Sequence, residues 1–206
     1  KISLRLKNTH FMPWETLTLF TGQSETNLKI FNMFMITEEE IRKKIKEMAE
    51  KINEDYKNCD EIILIGVLKG AFVFLADLMR EIKIPSKIDF IKVSSYGQST
   101  ESSGIVRIEL DTSIDITNKD VIIVEDILDT GLTLKYIKDL FLSRNPKSLK
   151  LAVLLDKIER RRVDIKADYV GFVVPDKFLV GYGLDFSEKF RYLPYIRELF
   201  ETEKSP

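Results

Sequence analysis

Val121-Ile122-Ile123-Val124-Glu125-Asp126-Ile127-Leu128-Asp129-Thr130-Gly131-Leu132-Thr133 is the stretch on which the reading of this chain turns. Its apolar start, with no polar alternation, reads as a strand covered on both faces. Glu125 and Asp126 then place two carboxylates side by side at the open end of that strand. Buried there they are costly unless something polar or cationic meets them, and sugar hydroxyls and a divalent cation are natural partners. Asp129 to Thr133 leads into a helix. Gly131 lets backbone approach a ligand, Thr130 and Thr133 offer hydroxyls, and the helix start offers free N–H groups and the positive end of the dipole to a phosphate. An acidic pair followed by a phosphate cradle describes a phosphorylated sugar. The bland alternative is that Asp129 or Thr130 merely caps a helix.

Working outward, further apolar runs at 62–67, 88–93, 149–155 and 169–174 read as strands, and helices are expected at 71–82 and 133–143, the latter ending before Pro146. Strands separated by helices mean a parallel α/β sheet, in which ligands bind beyond the carboxyl ends near the point where strand order reverses. Upstream, Thr37-Glu38-Glu39-Glu40 has capping-box spacing, and Ile41, Ile45, Met48, Ile52 and Tyr56 recur on one helical face behind it. Residues 1–32 hold the only His (His10) and the only Trp (Trp14) without a sustained period. They read as a disordered extension, or as upstream sequence before a start at Met33 or Met35, leaving one domain over 33–206. His10 is therefore a poor candidate for a catalytic base.

Composition narrows the class. The 206 residues suit one domain with a full core, and 44% hydrophobic and 32% charged residues are ordinary for a soluble globular protein. A net charge of -1 supplies no basic field for nucleic acid. Cys59 is alone, so no internal disulfide or cysteine-rich zinc site is expected, which fits a reducing compartment. No apolar run approaches a membrane span and no secretory signal is evident, so the expectation is a cytoplasmic protein without membrane contact. The nucleoside-triphosphate P-loop and the dinucleotide Gly-x-Gly-x-x-Gly are both absent.

The 121–133 stretch resembles the phosphoribosyl-pyrophosphate signature of the type I phosphoribosyltransferases. The resemblance runs on through about 33–200: Leu68-Lys69-Gly70, Ser95-Tyr96-Gly97, Asp156-Lys157 and Pro175-Asp176-Lys177-Phe178-Leu179-Val180-Gly181-Tyr182-Gly183-Leu184-Asp185 match the hypoxanthine-guanine branch in order and spacing. It implies a central, mainly parallel sheet flanked by helices, with a small hood. It also implies roles. Glu125 and Asp126 would hold the ribose hydroxyls and, with Asp185, the metal. Asp129 would act as general base or acid on a purine nitrogen. Thr130, Gly131, Leu132 and Thr133 would bind the 5′-phosphate. Leu68, Lys69 and Gly70 would form a pyrophosphate loop with a cis Leu68–Lys69 bond, Ala71 standing where the family often has a second glycine. Lys157 would donate to a 6-oxo group, Phe178 would stack on the base, the Leu179 backbone would meet the exocyclic substituent, and Arg191 would touch pyrophosphate.

The implied cofactor is Mg²⁺, the implied substrates are a 6-oxopurine and 5-phosphoribosyl-1-pyrophosphate, and the implied assembly is a homodimer or homotetramer. The transition state would resemble an oxocarbenium ion, with water excluded. Residues 94–104 are polar and glycine-bounded, and the family pattern makes them a lid carrying Ser95 and Tyr96 rather than a passive hairpin loop. Arg160-Arg161-Arg162, flanked by Glu159 and Asp164, reads as a solvated loop. Two rivals stand. A regulator that senses the sugar pyrophosphate needs a basic face that this chain lacks, and a transferase for adenine, orotate or uracil is disfavoured by Lys157 and the 175–185 segment.

Overall fold

The computed structural model describes residues 34–95 and 106–203. A two-residue strand, β1 (Met35–Ile36), precedes the helix expected behind Thr37. That helix, α1 (Glu38–Asp55), opens on a complete capping box: Glu40 N–H donates to Thr37 Oγ1 at 3.2 Å and Thr37 N–H to Glu40 Oε2 at 2.8 Å. Ile41, Ile45, Met48 and Ile52 are all buried, so the apolar period read from the sequence is the packed face.

Six strands form the central sheet: β2 (Ile62–Leu68), β3 (Ser86–Ser95), β4 (Val106–Leu110), β5 (Asp120–Leu128), β6 (Ser148–Asp156) and β7 (Tyr169–Val173). Their order is β4-β3-β2-β5-β6-β7, every neighbouring pair parallel except β3 with β4. Helix α2 (Phe72–Glu81) connects β2 to β3, and α3 (Leu132–Leu142) connects β5 to β6. On one face Ile63, Ile65, Ile123, Leu151 and Val153 pack with Leu134, Ile137 and Phe141 of α3. The other face receives α2 so closely that a Cβ at Gly66 would lie 2.7 Å from Leu75 Cδ2. Burying each large aliphatic side chain in these two layers contributes about 1.5–3 kcal/mol. A second sheet, ordered β1-β9-β8, adds β8 (Leu179–Val180) and β9 (Ile196–Glu198), all antiparallel.

The sequence reading missed β4. Arg107 and Glu109 alternate there with apolar residues, the charged pattern of a protected edge strand. Among the described residues, no helix is long and apolar enough to cross a membrane.

Candidate active site

Strand order reverses between β2 and β5, where the crevice of a doubly wound sheet lies. The chain leaving β2 is Leu68-Lys69-Gly70, and its Leu68–Lys69 bond is cis, matching the expectation. Across from it stands Asp126. A Cβ at Gly70 would lie 1.7 Å from Asp126 Oδ2, so only glycine allows this approach of loop to carboxylate. One correction concerns the acidic pair. Strand β5 continues to Leu128, paired with Asp156, so Glu125 and Asp126 lie within the strand rather than at its open end.

Their burial has a measurable consequence. Asp126 is 8% exposed and takes a 2.8 Å hydrogen bond from Ile127 N–H, yet desolvation pushes its pKa up to about 6. Glu125 is raised well above the usual carboxylate range, first by burial and then by the charge of Asp126, and its Oε2 has no hydrogen-bond partner. A buried acid beside a half-buried one whose enclosed Oε2 lacks a donor suits a cation or sugar hydroxyls.

Beyond β5 the chain turns at Gly131, whose φ of 84° is the left-handed value that favours glycine. Gly131 is the N-cap of α3, and no side chain caps that helix; Thr130 Oγ1 sits 3.5 Å from Leu132 N. Leu132 N–H thus donates a long hydrogen bond to Thr130 Oγ1, and with glycine at the N-cap position no N-cap side chain covers the N–H groups that follow, which leaves them for a phosphate.

The cations expected around pyrophosphate meet a carboxylate from their own chain. Glu188 Oε1 accepts from Lys69 Nζ at 3.0 Å, and Glu188 Oε2 lies 3.4 Å from both Nε and Nη2 of Arg191. Those cations hold the Glu188 pKa below the usual range, the Lys69 hydrogen bond first. Arg191 also pairs with Asp185 at 2.8 Å and donates to Gly183 O at 2.7 Å, so it is no loose surface charge.

On the other side of the Asp129 turn, Lys157 is only 7% exposed. Its N–H donates to Leu128 O at 3.0 Å, and its ammonium lies 3.8 Å from Asp176 Oδ1. Phe178 is largely exposed and meets Phe186 edge-on at 5.6 Å, while Leu179 is buried in β8. The solvated-loop reading of the arginine run holds for the exposed Arg160 and Arg162 and fails for Arg161. Arg161 pairs with Asp156, both largely buried, and donates to Asp129 O at 2.9 Å. Arg162 N–H donates to Thr130 O at 2.9 Å. Arg160 Nε lies 2.9 Å from Asp129 Oδ1, an ion pair without a directed hydrogen bond to that atom. Arginine after a strand end read as surface charge because neither partner stands at a helix or strand spacing: Asp156 is five residues back and the Asp129 carbonyl 32.

Sequence reasoning thus missed Arg160, Arg161 and Glu188. Of the expected lid, Ser95 closes β3 and Tyr96 lies outside the described residues. Among the described residues no three acidic, histidine or cysteine side chains gather as a cage for a metal ion, and Asp185 is engaged by Arg191. Magnesium does not require such a cage, since it keeps waters and commonly binds one or two carboxylates together with substrate phosphates. The partner-poor Glu125–Asp126 pair fits that pattern.

Comparison with known proteins agrees with this geometry. The phosphoribosyl transferase domain model matches residues 35–187. A hypoxanthine-guanine phosphoribosyltransferase of Dictyostelium discoideum is 47% identical over 170 residues, covering 81% of this chain and 94% of that protein. One from Aquifex aeolicus is 51% identical over 162 residues, covering 79% and 91%. The crystal structure of a Bacillus anthracis hypoxanthine-guanine phosphoribosyltransferase, with a HEPES molecule in its active site, superposes with a TM-score of 0.78 at 51% identity, covering 82% of this chain and 98% of that one. With the domain matched over most of its length and relatives near half identity, the chain belongs to the phosphoribosyltransferase family.

Proposed function

We propose that this chain transfers the phosphoribosyl group of 5-phosphoribosyl-1-pyrophosphate to hypoxanthine or guanine, releasing pyrophosphate and the purine nucleotide. The observation that carries the base assignment is Lys157, a buried ammonium tied through its backbone to Leu128 at the start of the Asp129 turn. A charged donor in that place rewards a 6-oxo group. The 6-amino group of adenine cannot accept its hydrogen bond and leaves the charge unsatisfied, a mismatch that can cost ~10⁴-fold.

In the reaction the bond from the sugar C1′ to the pyrophosphate oxygen breaks and a bond from C1′ to the purine nitrogen forms. The proton of that nitrogen passes to the Asp129 carboxylate, a step of the kind that contributes ~10²–10⁴-fold. The start of α3 at Thr130, Gly131, Leu132 and Thr133 holds the 5′-phosphate. Lys69 and Arg191 meet pyrophosphate, and Leu68 and Gly70 place the loop close to Asp126. Phe178 stacks on the base and the Leu179 backbone faces its exocyclic group. Ser95 and Tyr96 belong to the lid, and residues 1–32 are dispensable. Glu125, Asp126 and Asp185 would hold magnesium, which would supply neutralisation of the departing pyrophosphate.

The assembly is a homodimer or homotetramer in the cytoplasm. What supports assembly is exposed aromatic surface next to the pyrophosphate loop: Phe72 is 45% and Tyr192 83% exposed, and both line a cavity of about 730 Å³ with Arg191. Equilibrium sedimentation before and after Tyr192→Asp tests it.

The function itself is tested by assaying hypoxanthine, guanine, xanthine and adenine, each with the sugar pyrophosphate and magnesium. Hypoxanthine and guanine should be converted and adenine at most in trace. Lys157→Gln should erode that discrimination with less effect on sugar-pyrophosphate binding. Adenine used as well as hypoxanthine would refute the reading.

A further inference from the structure

The arginine run after β6 is the part of the molecule that the reaction above leaves without a task, and it converges on one residue. Three hydrogen bonds to backbone carbonyls fasten the loop after β6 to the end of β5 and the turn behind it: Lys157 N–H to Leu128 O at 3.0 Å, Arg161 Nη1 to Asp129 O at 2.9 Å, and Arg162 N–H to Thr130 O at 2.9 Å. Arg161 is itself anchored by Asp156, so the turn is gripped from a buried ion pair. None of these contacts touches the Asp129 carboxylate. Arg160 does, with Nε 2.9 Å from Oδ1, while its Nη1 donates to Asp176 Oδ1 at 3.3 Å. Asp176 Oδ1 in turn lies 3.8 Å from Lys157 Nζ. Asp129, Arg160, Asp176 and Lys157 therefore form one chain of alternating charge. Its two ends are the groups assigned to the purine's ring nitrogen and to its 6-oxo oxygen.

We propose that Arg160 is a positioning residue for proton transfer: it fixes the rotation of the Asp129 carboxylate and, through Asp176, sets its distance from the Lys157 ammonium. The inference rests on the Asp129 assignment made above. The physical need is plain. An aspartate with a fixed backbone still rotates about two side-chain bonds, and a proton acceptor misplaced by about 1 Å can lose 10²-fold in rate. A guanidinium, planar and permanently charged, can face two carboxylates at once through different nitrogens, here Nε toward Asp129 and Nη1 toward Asp176. Arg160 touches no substrate atom in this scheme. Its effect should appear in turnover and in purine binding, and not in the sugar-pyrophosphate half of the site.

The test is a cycle of Arg160→Ala, Asp129→Asn and the double variant, with Arg160→Lys and Arg160→Gln alongside. Turnover with saturating hypoxanthine and the KM of each substrate are measured for all of them. The expected result is a loss of turnover of roughly tenfold in Arg160→Ala, an unchanged KM for the sugar pyrophosphate, and partial recovery in Arg160→Lys but not Arg160→Gln. In the Asp129→Asn background, removing Arg160 should cost no further turnover, because the neutral amide no longer needs its cation. A merely structural arginine would give losses that multiply, and that result overturns the proposal. So does an Arg160→Ala enzyme within twofold of wild type. Full turnover in Asp129→Asn alone would instead remove the Asp129 assignment on which the proposal stands, a failure visible without any Arg160 variant.

Discussion

Replacing Asp126 by asparagine should make the ligand-free protein more stable and the enzyme inactive. Burial raises the Asp126 pKa from 3.8 to about 6, which corresponds to about 3 kcal/mol between the ionised and protonated forms. The sign follows from the raised value. Below about pH 4 the carboxyl is protonated in both folded and unfolded chains and imposes no charge penalty. Between about pH 4 and pH 6 the unfolded chain ionises first, so stability falls as pH rises, and above about pH 6 the full penalty is present. Asparagine keeps an oxygen for the Ile127 N–H and carries no charge. Glu125 tempers the gain, because part of its own raised pKa comes from the Asp126 charge and it will ionise more readily beside an amide. The net gain at pH 8 should then be about 1–3 kcal/mol, or roughly 3–10 °C in Tm for a chain of this size. Thermal unfolding of both proteins in a chelating buffer from pH 4 to pH 8 measures it. The curves should meet near pH 4 and separate toward pH 8. An asparagine variant equal to or less stable than wild type at pH 8 would refute the account of a buried, uncompensated acid. Turnover with saturating substrates should fall by ~10²-fold or more, since a group that holds ribose and metal is gone.

Three other outcomes follow from the geometry. Gly70→Ala should lower turnover by ~10²-fold or more while the chain still folds, because its Cβ would lie 1.7 Å from Asp126 Oδ2 and must push the loop off the carboxylate; steady-state kinetics and far-UV dichroism check the two halves. Glu188→Gln should bind inorganic pyrophosphate roughly twofold to fivefold tighter by calorimetry, since the carboxylate that competes for Lys69 and Arg191 is exposed and its pairing is weak. A chain starting at Met33 should melt and turn over like the full one, whereas one starting at Thr37 should melt lower by several degrees; that cut removes buried Ile36, worth about 1.5–3 kcal/mol, and its pairing with Ile196.

The parts legible in the sequence were those whose physics is local. Apolar runs announced β2, β5 and β6, and the Thr37–Glu40 pair announced α1, because the signal and its cause lie within a few residues. Strand limits were drawn short where polar residues end them: Asp120, Ser86 and Ser148 open β5, β3 and β6, yet each is hydrogen-bonded into the sheet. Strands of two or three residues, such as β1, β8 and β9, are too short to show a period and exist only through one another. The site residues brought by resemblance came without their neighbours. Glu188 meets a lysine 119 positions away, and Arg161 reaches the carbonyl of a residue 32 positions away, distances over which no spacing rule operates.

The charges around the switch point share one property that the sequence could not display: they are arranged for a visitor carrying both signs. Asp126 is a buried acid and Glu125 a half-buried one, both held back by desolvation, and among the described residues the cation that acts on Asp126 is Arg191. Lys69 and Arg191 are cations provisionally matched by the exposed Glu188. An anion alone would relieve the cations and deepen the repulsion felt by the acids. A divalent cation alone would do the reverse. A phosphate-bound metal relieves both at once, so its two components should favour each other's binding through the protein, beyond their affinity for each other in water. A surface built from one sign would bind a simple ion more strongly and discriminate less. The cost of the arrangement is carried by the ligand-free fold, chiefly at Asp126. It is tolerable because the same two acids sit on β5, an interior strand flanked by β2 and β6, where the surrounding core can hold them.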